Sequence, residues 1–243
     1  MNGRRLLNGL ALFPYQLYVM LGFFALLLFW GTTSCVASLF DARGDRAHRY
    51  LGYWAKWNLA VAGLRIEVDG LERLDRAATY IFMLNHASFL DILLAFAYIP
   101  HNFRIVTKQE IFSLPVMGWA LKRSRQVPMD RVNPRKGLAS LRQASALLKE
   151  GISIVVFPEG SRTPDGEIKE FKATVFILPI RTGVAVVPVR VEGTFEALKK
   201  GSMLLNPVPL KLTFHDPIAP GSFNDRDRWA FAKKVREVLT SSP

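Results

Sequence analysis

The stretch Tyr80-Ile-Phe-Met-Leu-Asn-His-Ala-Ser-Phe-Leu-Asp91 predicts a buried strand that ends in a polar turn and leads into a helix. Its first five residues are apolar, which is typical of a strand covered on both faces. A second stretch, Ile152-Ser-Ile-Val-Val-Phe-Pro-Glu-Gly-Ser-Arg-Thr163, repeats this arrangement. Ligands of open α/β sheets bind outside the carboxyl ends of the strands, so we expect the two polar turns to meet in one cleft.

Strands and helices alternate from Leu64 onward, which predicts an α/β domain. The predicted strands are Leu64–Val68, Tyr80–Leu84, Phe103–Thr107, Gln126–Met129, Ile152–Phe157, Val184–Val191 and Leu210–Phe214. The predicted helices are Ser88–Ile99 (with Ser88 as N-cap), Val116–Lys122, a helix that begins at Asn133-Pro134 and ends before Gly151, Ala173–Arg181 and Arg226–Leu239.

Residues 6–40 contain no Asp, Glu, Lys or Arg, which predicts a membrane anchor. The run exceeds the 7–15 apolar residues of a signal peptide, so a retained segment is favoured over a cleaved one. As a helix it would be about 50 Å long, more than a bilayer core of ~30 Å requires. Either one tilted span with an interfacial extension or a hairpin bent near Gly22 or Gly31 is compatible with this length.

Residues 45–63 combine Trp54 and Trp57 with basic side chains, which is typical of an amphipathic helix at a membrane surface. Packing of Tyr53, Trp54 and Trp57 on the domain is the alternative. We therefore predict two regions, a membrane anchor with an interfacial helix at 1–63 and a globular domain at 64–243. The cations that follow the anchor outnumber those before it, which favours the cytoplasmic face of the cell membrane for the domain. They are Arg43, Arg46, Arg49 and Lys56, against Arg4 and Arg5.

The chain of 243 residues carries a net charge of +12, and half of that charge lies between Arg104 and Lys136. Such a basic stretch is typical of proteins that bind nucleic acid, membrane headgroups or phosphorylated substrates. Arg131 is a candidate phosphate ligand because it directly follows the short segment Val127-Pro-Met-Asp130. The single cysteine, Cys35, excludes an internal disulfide, and four histidines do not predict a metal site.

His86 and Asp91 have the composition of a general base with its orienting carboxylate. A separation of five residues would hold them apart on a regular helix. If His86 lies in the turn and Asp91 in the first helical turn, the carboxylate can reach one ring nitrogen and leave the other free to remove a proton. A histidine that only caps the helix, with Asp91 near its N-terminus, is the alternative.

Glu159, Gly160 and Arg162 form a turn that could hold a polar substrate. Arginine is suited to bidentate contact with phosphate or carboxylate, and Glu159 could accept a hydrogen bond from a hydroxyl. The alternative is a surface turn with a solvated ion pair.

With these residues assembled, the sequence resembles the lysophosphatidic acid acyltransferase (1-acyl-sn-glycerol-3-phosphate acyltransferase) family over roughly residues 65–220. Asn-His-Ala-Ser-Phe-Leu-Asp at 85–91 matches the family's His-x4-Asp motif, and Phe-Pro-Glu-Gly-Ser-Arg-Thr at 157–163 matches its third block. Val-Pro-Met-Asp-Arg at 127–131 and Val-Pro-Val at 187–189 are similar to the second and fourth blocks. Lys108, Pro115 and Gly118 fall within the family's spacing.

The resemblance implies an acyltransferase domain with a mixed sheet flanked by helices. It implies transfer of an acyl group from acyl-CoA or acyl carrier protein to lysophosphatidic acid, giving phosphatidic acid in phospholipid biosynthesis, without metal or cofactor. His86 would be the base and Asp91 its partner. The residues expected to contact substrate are Arg131, Glu159, Gly160, Arg162, Lys108 and Pro188.

Two positions depart from the family pattern, because Arg125 and Thr174 stand where many members carry glycine. We expect both to reshape the acceptor pocket, which keeps another lysolipid open as acceptor, a lyso-ornithine lipid among them. A non-catalytic protein that binds membranes or nucleic acid through its charge is a less favoured alternative, since no nucleic-acid motif is present. A metal hydrolase built on His86, Asp91 and Glu159 lacks the His or Cys that zinc usually requires.

Overall fold

The computed structural model describes residues 3–130, 134–221 and 223–241, with side chains for all of these except 3–12 and 134–136. Within them lies a seven-stranded sheet of order β1-β7-β6-β2-β5-β3-β4. The strands are β1 (Ile66–Asp69), β2 (Ile81–Leu84), β3 (Phe103–Lys108), β4 (Val127–Met129), β5 (Ser153–Val156), β6 (Val186–Glu192) and β7 (Leu210–Phe214). The helices are α1 (Gly3–Ala37), α2 (Asp45–Val61), α3 (Leu90–Tyr98), α4 (Met117–Arg123), α5 (Pro134–Lys149), α6 (Ile177–Thr182), α7 (Thr194–Ala197) and α8 (Arg228–Thr240).

The sheet is mixed, as the resemblance implied. Strands β6, β2, β5, β3 and β4 are mutually parallel, whereas β7 runs antiparallel to β6 and parallel to β1. The carboxyl ends of the five parallel strands therefore share one edge of the sheet. Both polar turns that the sequence singled out begin at this edge.

Two hydrophobic cores cover the two faces of the sheet. One core is formed with α2 and α3 and includes Leu51, Trp54 and Phe96. The other is formed with α5, α6 and α8 and includes Leu147, Leu178 and Phe231. The all-apolar strand β2 contributes alternate residues to the two cores because successive side chains point to opposite faces.

The anchor is one continuous helix rather than a hairpin, so the possibility of a bend at Gly22 or Gly31 is excluded. Both glycines instead allow close packing. A Cβ at Gly22 would lie 2.9 Å from Val61 Cγ1 of α2, and one at Gly31 would overlap the side chain of Val116. The stretch Phe13–Phe40 is long and apolar enough to cross a membrane, and only 11% of its most apolar window is buried in the protein. It therefore fits a membrane-associated helix.

Helix α2 does not lie freely on a surface, because its apolar side packs between α1 and the domain. Trp54 is buried against Phe23 of α1, with ring centroids 5.5 Å apart. Tyr53 and Trp57 remain exposed. Of the three aromatic residues that could either face a membrane surface or pack on the domain, Trp54 is therefore packed inside the protein. The boundary proposed at Gly63 falls in the turn after α2, while the core continues across it.

Most predicted strand bounds lie within two residues of the observed ones, and the predicted N-cap, Ser88, lies one residue before the observed N-cap. Helix α3 begins at Leu90, and its N-cap residue is Phe89. The Ser88 hydroxyl accepts a 3.3 Å hydrogen bond from the N–H of Leu90 and donates a 2.7 Å hydrogen bond to the carbonyl of Leu198, in the segment after α7. The carboxylate of Asp91 accepts hydrogen bonds from the N–H groups of Ala87 and Ser88, in the turn before the helix.

Candidate active site

The side chains of His86 and Asp91 are in contact, in the arrangement that the sequence predicts. His86 follows β2 and Asp91 lies in the first turn of α3. The Nδ1 atom of His86 is 2.8 Å from Oδ2 of Asp91. The same oxygen accepts hydrogen bonds from the backbone N–H groups of Ala87 and Ser88, at 2.7 and 2.8 Å. Three donors therefore converge on one carboxylate oxygen, which fixes it against the imidazole.

This contact determines the tautomer of the histidine. An ionised carboxylate can only accept hydrogen bonds, so Nδ1 carries the proton and Nε2 keeps its lone pair. Asp91 is fully buried, and its other oxygen, Oδ1, has no partner among the described residues. The arrangement leaves Nε2 as the basic atom of the site.

Phe157 and Asn85 hold the catalytic turn from two sides. The ring of Phe157 stacks on His86 with centroids 4.0 Å apart and planes inclined by 21°. The side-chain amide of Asn85 donates to the carbonyl of Val191 at 2.8 Å and accepts from its N–H at 2.7 Å. The turn after β2 is thus locked to β6 on one side and to the end of β5 on the other.

Glu159 was predicted to contact the acceptor, but its oxygens are already engaged inside the protein. Oε1 accepts from the N–H of His86 at 2.6 Å, and Oε2 accepts from the N–H of Lys169 at 3.1 Å. The side chain is buried, and burial raises its pKa while the two backbone donors oppose that shift. Glu159 therefore positions the His86 turn rather than facing the cleft.

Gly160 lines a cavity together with Phe157. Its φ of +74° belongs to the left-handed region that favours glycine, and a Cβ there would lie 2.7 Å from Cε of Lys172. The side chain of Lys172 therefore lies directly over Gly160. Both line a cavity of about 230 Å³ together with Phe157, whose ring stacks on His86, and Thr174.

Arg162 lies next to the catalytic turn, because the N–H of its neighbour Thr163 donates to the carbonyl of His86 at 2.9 Å. Its guanidinium is half-buried and has no hydrogen bond or ion pair with any described residue. Lys169 braces this loop by donating from Nζ to Ser161 Oγ at 2.8 Å and to the carbonyl of Arg162 at 3.2 Å.

Two further predicted site residues, Lys108 and Pro188, are not brought to this cluster. Lys108 ends β3 at the same edge of the sheet, but its amine pairs with Glu110 at 3.0 Å on an exposed surface. Pro188 lies inside β6 opposite Met83, three residues before His86, so it is buried within the sheet. Arg131 lies outside the described residues.

Two cations of the basic stretch between Arg104 and Lys136 are paired within the fold and do not form part of an open cationic surface. Arg104 is fully buried, and its guanidinium bonds to Asp45 at 2.7 Å and to the carbonyl of Arg43 at 2.9 Å, joining α2 to β3. Arg125 makes two hydrogen bonds with Glu150, at 2.8 and 2.9 Å, and does not line the cavity beside Gly160. Only Thr174 of the two departures therefore borders that cavity.

Sequence reasoning missed Asn85, Phe157, Lys169 and Lys172. Asn85 and Phe157 lie within the two stretches that opened the sequence analysis, at the ends of the predicted strands. Their position in the sequence could therefore have predicted that they lie beside the site. Lys169 and Lys172 lie on a loop whose path back over Gly160 has no signature in local sequence. A group of three or more His, Cys, Asp or Glu suited to a metal ion is absent from the part of the chain that the structure describes.

Comparison with known proteins finds a family model and relatives that are all named as acyltransferases. The model of the Acyltransferase family matches residues 65–192. The chain is 35% identical over 183 residues to "1-acyl-sn-glycerol-3-phosphate acyltransferase LPAT1, chloroplastic" of Arabidopsis thaliana, covering 74% of this chain and 51% of that protein. It is 30% identical over 166 residues to the 1-acyl-sn-glycerol-3-phosphate acyltransferase of Pseudomonas aeruginosa, covering 66% of this chain and 63% of that protein. The chain thus spans about half the length of the plant relative.

A solved structure agrees with the fold. The 1-acyl-sn-glycerophosphate (LPA) acyltransferase PlsC from Thermotoga maritima superposes with a TM-score of 0.79 at 26% identity, over 92% of this chain and 91% of that one. The family match contains both the His86–Asp91 turn and the 157–163 turn, and it covers more than half of the chain. This protein therefore belongs to the Acyltransferase family.

Proposed function

We propose that this protein transfers a fatty acyl group from a thioester to the free hydroxyl of lysophosphatidic acid, giving phosphatidic acid. The observation that carries the proposal is the His86–Asp91 pair, in which the carboxylate engages Nδ1 and leaves Nε2 as the basic atom. The ring of His86 stacks on Phe157, which lines a cavity together with Gly160 and Lys172. The names of the relatives point to the same reaction.

His86 acts as the general base in this proposal. Nε2 removes the proton of the acceptor hydroxyl while the oxygen attacks the thioester carbonyl carbon. The carbon–sulfur bond then breaks, and the leaving thiolate takes the proton back from Nε2, so the enzyme is regenerated. Asp91 keeps Nδ1–H in place and stabilises the imidazolium that forms in between.

The acceptor phosphate has two candidate cationic partners. Arg162 has no described side-chain partner, and the amine of Lys172 lies over Gly160 at the cavity. A guanidinium can bind two phosphate oxygens at once, and an ammonium adds a second positive charge. Thr174 at the cavity border supports a second candidate within the same chemistry, in which the acceptor is another lysolipid.

We further propose that the donor is acyl-CoA or acyl carrier protein, that no metal or other cofactor is required, and that the domain lies on the cytoplasmic face of the cell membrane. A base held by a carboxylate needs no metal to deprotonate an alcohol. The cations that follow α1 support the orientation. Nucleic acid is not a partner in this proposal.

The test is acyl transfer by the full chain in vesicles, with a panel of lysolipids offered against one acyl donor. Wild type should acylate lysophosphatidic acid, and His86→Ala should lose about 10²-fold or more in kcat. His101→Ala is the matched control, since His101 lies before β3 at the opposite edge of the sheet. Full activity of His86→Ala would refute the base assignment, and turnover of a different lysolipid alone would replace the acceptor.

Two further measurements test the binding of the acceptor phosphate and the absence of a metal requirement. Lys172→Ala and Arg162→Ala should each raise KM for a phosphorylated acceptor more than they lower kcat, since both remove binding rather than proton transfer. Unchanged KM values in both variants would place the phosphate elsewhere. Activity that survives prolonged dialysis against EDTA is expected, and loss that Mg²⁺ restores would contradict the metal-free mechanism.

A further inference from the structure

The loop 199–205, which follows α7, carries two adjacent large apolar side chains in solvent. Met203 is 75% exposed and Leu204 is 65% exposed. Scattered apolar residues are normal on protein surfaces, but a contiguous apolar patch bordered by charge marks an interaction site. Lys199 and Lys200, both exposed, begin the loop.

The loop is fastened to the apolar helix α1. The side-chain amide of Gln16 donates to the carbonyl of Leu205 at 2.8 Å, and the N–H of Leu205 donates to the amide oxygen of Gln16 at 2.9 Å. Leu205 itself is buried. The N–H and the C=O of the Gln16 side-chain amide are thus both engaged by this one residue of the loop.

This attachment makes the loop continuous with the exposed apolar surface of α1. Residues three and four apart share one side of a helix, so Gln16 lies in a row with Phe13 and Met20. Phe13 is 63% exposed and Met20 is 37% exposed. Met203 and Leu204 directly precede Leu205, whose backbone is hydrogen-bonded to Gln16, so these two exposed side chains lie next to this row of α1.

We propose that loop 199–205 is a second membrane-contacting element, whose occupant is the surface of an anionic bilayer. Met203 and Leu204 insert among the acyl chains of the leaflet that contacts the Phe13–Met20 part of α1, and Lys199 and Lys200 meet the negative headgroups. Burial of apolar area and attraction of cations to anionic lipid are the two contributions that bind amphipathic elements to membranes. Continuity with α1 and the sign of the adjacent charge both favour lipid over a protein partner.

The loop also has a direct connection to the catalytic turn. Ser88, two residues after His86, donates its hydroxyl to the carbonyl of Leu198, and the N–H of Asn206 closes the loop on the carbonyl of Ala197 at 2.8 Å. The depth to which the loop inserts therefore determines the distance between the His86 turn and the leaflet. This consequence rests on the proposed function, because it matters only if the acceptor enters from the membrane.

Insertion is tested without any activity measurement. In a Cys35→Ser background, Met203→Cys is labelled with an environment-sensitive fluorophore, and the full chain is placed in vesicles of 3:1 phosphatidylcholine and phosphatidylglycerol. Lys233→Cys on α8, which lies on the other face of the sheet, is the matched control. We expect the label at 203 to shift to the blue and to be quenched by brominated acyl chains, and the label at 233 to be quenched only by aqueous iodide. Equal behaviour of the two labels, with iodide quenching both, would overturn the proposal.

The functional consequence has a separate test. The double variant Met203→Glu, Leu204→Glu should raise the apparent KM for lysolipid presented in vesicles at least about threefold, while leaving turnover of a short-chain, water-soluble acceptor unchanged. Equal losses on both acceptors would contradict an interfacial role. If wild type acylates neither acceptor, the proposed function fails, and the fluorescence result still decides insertion.

Discussion

At the scale of single residues, one carboxylate oxygen organises the site. Oδ2 of Asp91 accepts from the imidazole of His86 and from two backbone amides, so the base and the first turn of α3 share one anchor point. Charge-assisted hydrogen bonds of this kind are stronger than neutral ones. The catalytic pair is therefore also a local structural element, and a variant must separate the two roles.

The variant Asp91→Asn distinguishes the catalytic role of the Asp91 carboxylate from its structural role. The amide has the size of the carboxylate but only one acceptor oxygen and no charge, so it cannot stabilise an imidazolium. We expect kcat to fall on the order of 10²- to 10⁴-fold with a smaller change in KM. Initial rates over a range of acceptor concentrations give both values, with Asp225→Asn, an exposed partner of Arg181, as control. A kcat within twofold of wild type would contradict the role of Asp91.

Glu159→Gln tests the internal role of Glu159. Both of its oxygens accept from backbone N–H groups, so a glutamine must turn its own NH₂ toward one of these donors. Leaving a buried donor unpaired costs about 1–3 kcal/mol of the free energy of unfolding. Urea unfolding in detergent measures this loss, and Glu167→Gln on the exposed part of the same loop should change stability little. Unchanged stability of Glu159→Gln would instead favour direct contact with the acceptor.

At the scale of elements, the departure at Arg125 has a backbone cause. Its φ is +54°, in the left-handed region where a Cβ is unfavourable and glycine is the usual residue. The strain is offset in this chain by two hydrogen bonds between the Arg125 guanidinium and Glu150. The substitution thus concerns the turn between α4 and β4 rather than the acceptor pocket.

Arg125→Ala and Arg125→Gly distinguish strain from ion pairing. Both remove the pair with Glu150, but only alanine keeps the strained Cβ, so Arg125→Gly should be more stable than Arg125→Ala by about 1 kcal/mol. Glu150→Gln removes the charge of the partner and serves as control for the pair alone. Urea midpoints compare the three, and an alanine variant at least as stable as the glycine variant would refute the strain.

At the scale of the whole molecule, α2 joins the anchor helix to the domain through buried polar groups. His48 lies between Phe96 and Phe103, and burial lowers the pKa of its imidazole from 6.5 to about 3, helped by the nearby Arg104. Asp45 acts in the opposite direction. The folded protein therefore holds His48 neutral at pH values where the unfolded chain protonates it.

The sign of the resulting pH dependence follows from this. Between pH 6.5 and 3 the unfolded state binds one more proton at His48 than the folded state does, so stability is complete above pH 6.5 and falls as the pH is lowered. We expect this residue to account for about 3 kcal/mol of the loss between pH 6.5 and 4, at ~1.4 kcal/mol per pH unit. Unfolding of wild type and His48→Phe across this range measures the difference, with His101→Phe as control. Parallel curves for wild type and His48→Phe would contradict it.

The strands, the His86–Asp91 contact and the apolar N-terminal stretch could be predicted from the sequence, because each depends on residues that are close together along the chain. The apolar runs located the strands, and the His86–Asp91 contact could be inferred because both residues lie within one strand–turn–helix unit. The apolar stretch at the N-terminus likewise followed from composition alone. These features are local, so residue type and spacing are sufficient to predict them.

The roles of the charged residues depend on contacts between segments that are distant in sequence. Arg104 belonged to the basic stretch of the sequence, yet it is buried against Asp45. Glu159 was predicted to contact the substrate, yet it binds the backbone of His86 and Lys169. Lys172 reaches the site because its loop folds back over Gly160. Whether a charge faces solvent, a ligand or another charge depends on segments far away in sequence, since the low dielectric of the interior leaves a buried charge stable only with a partner that the fold supplies.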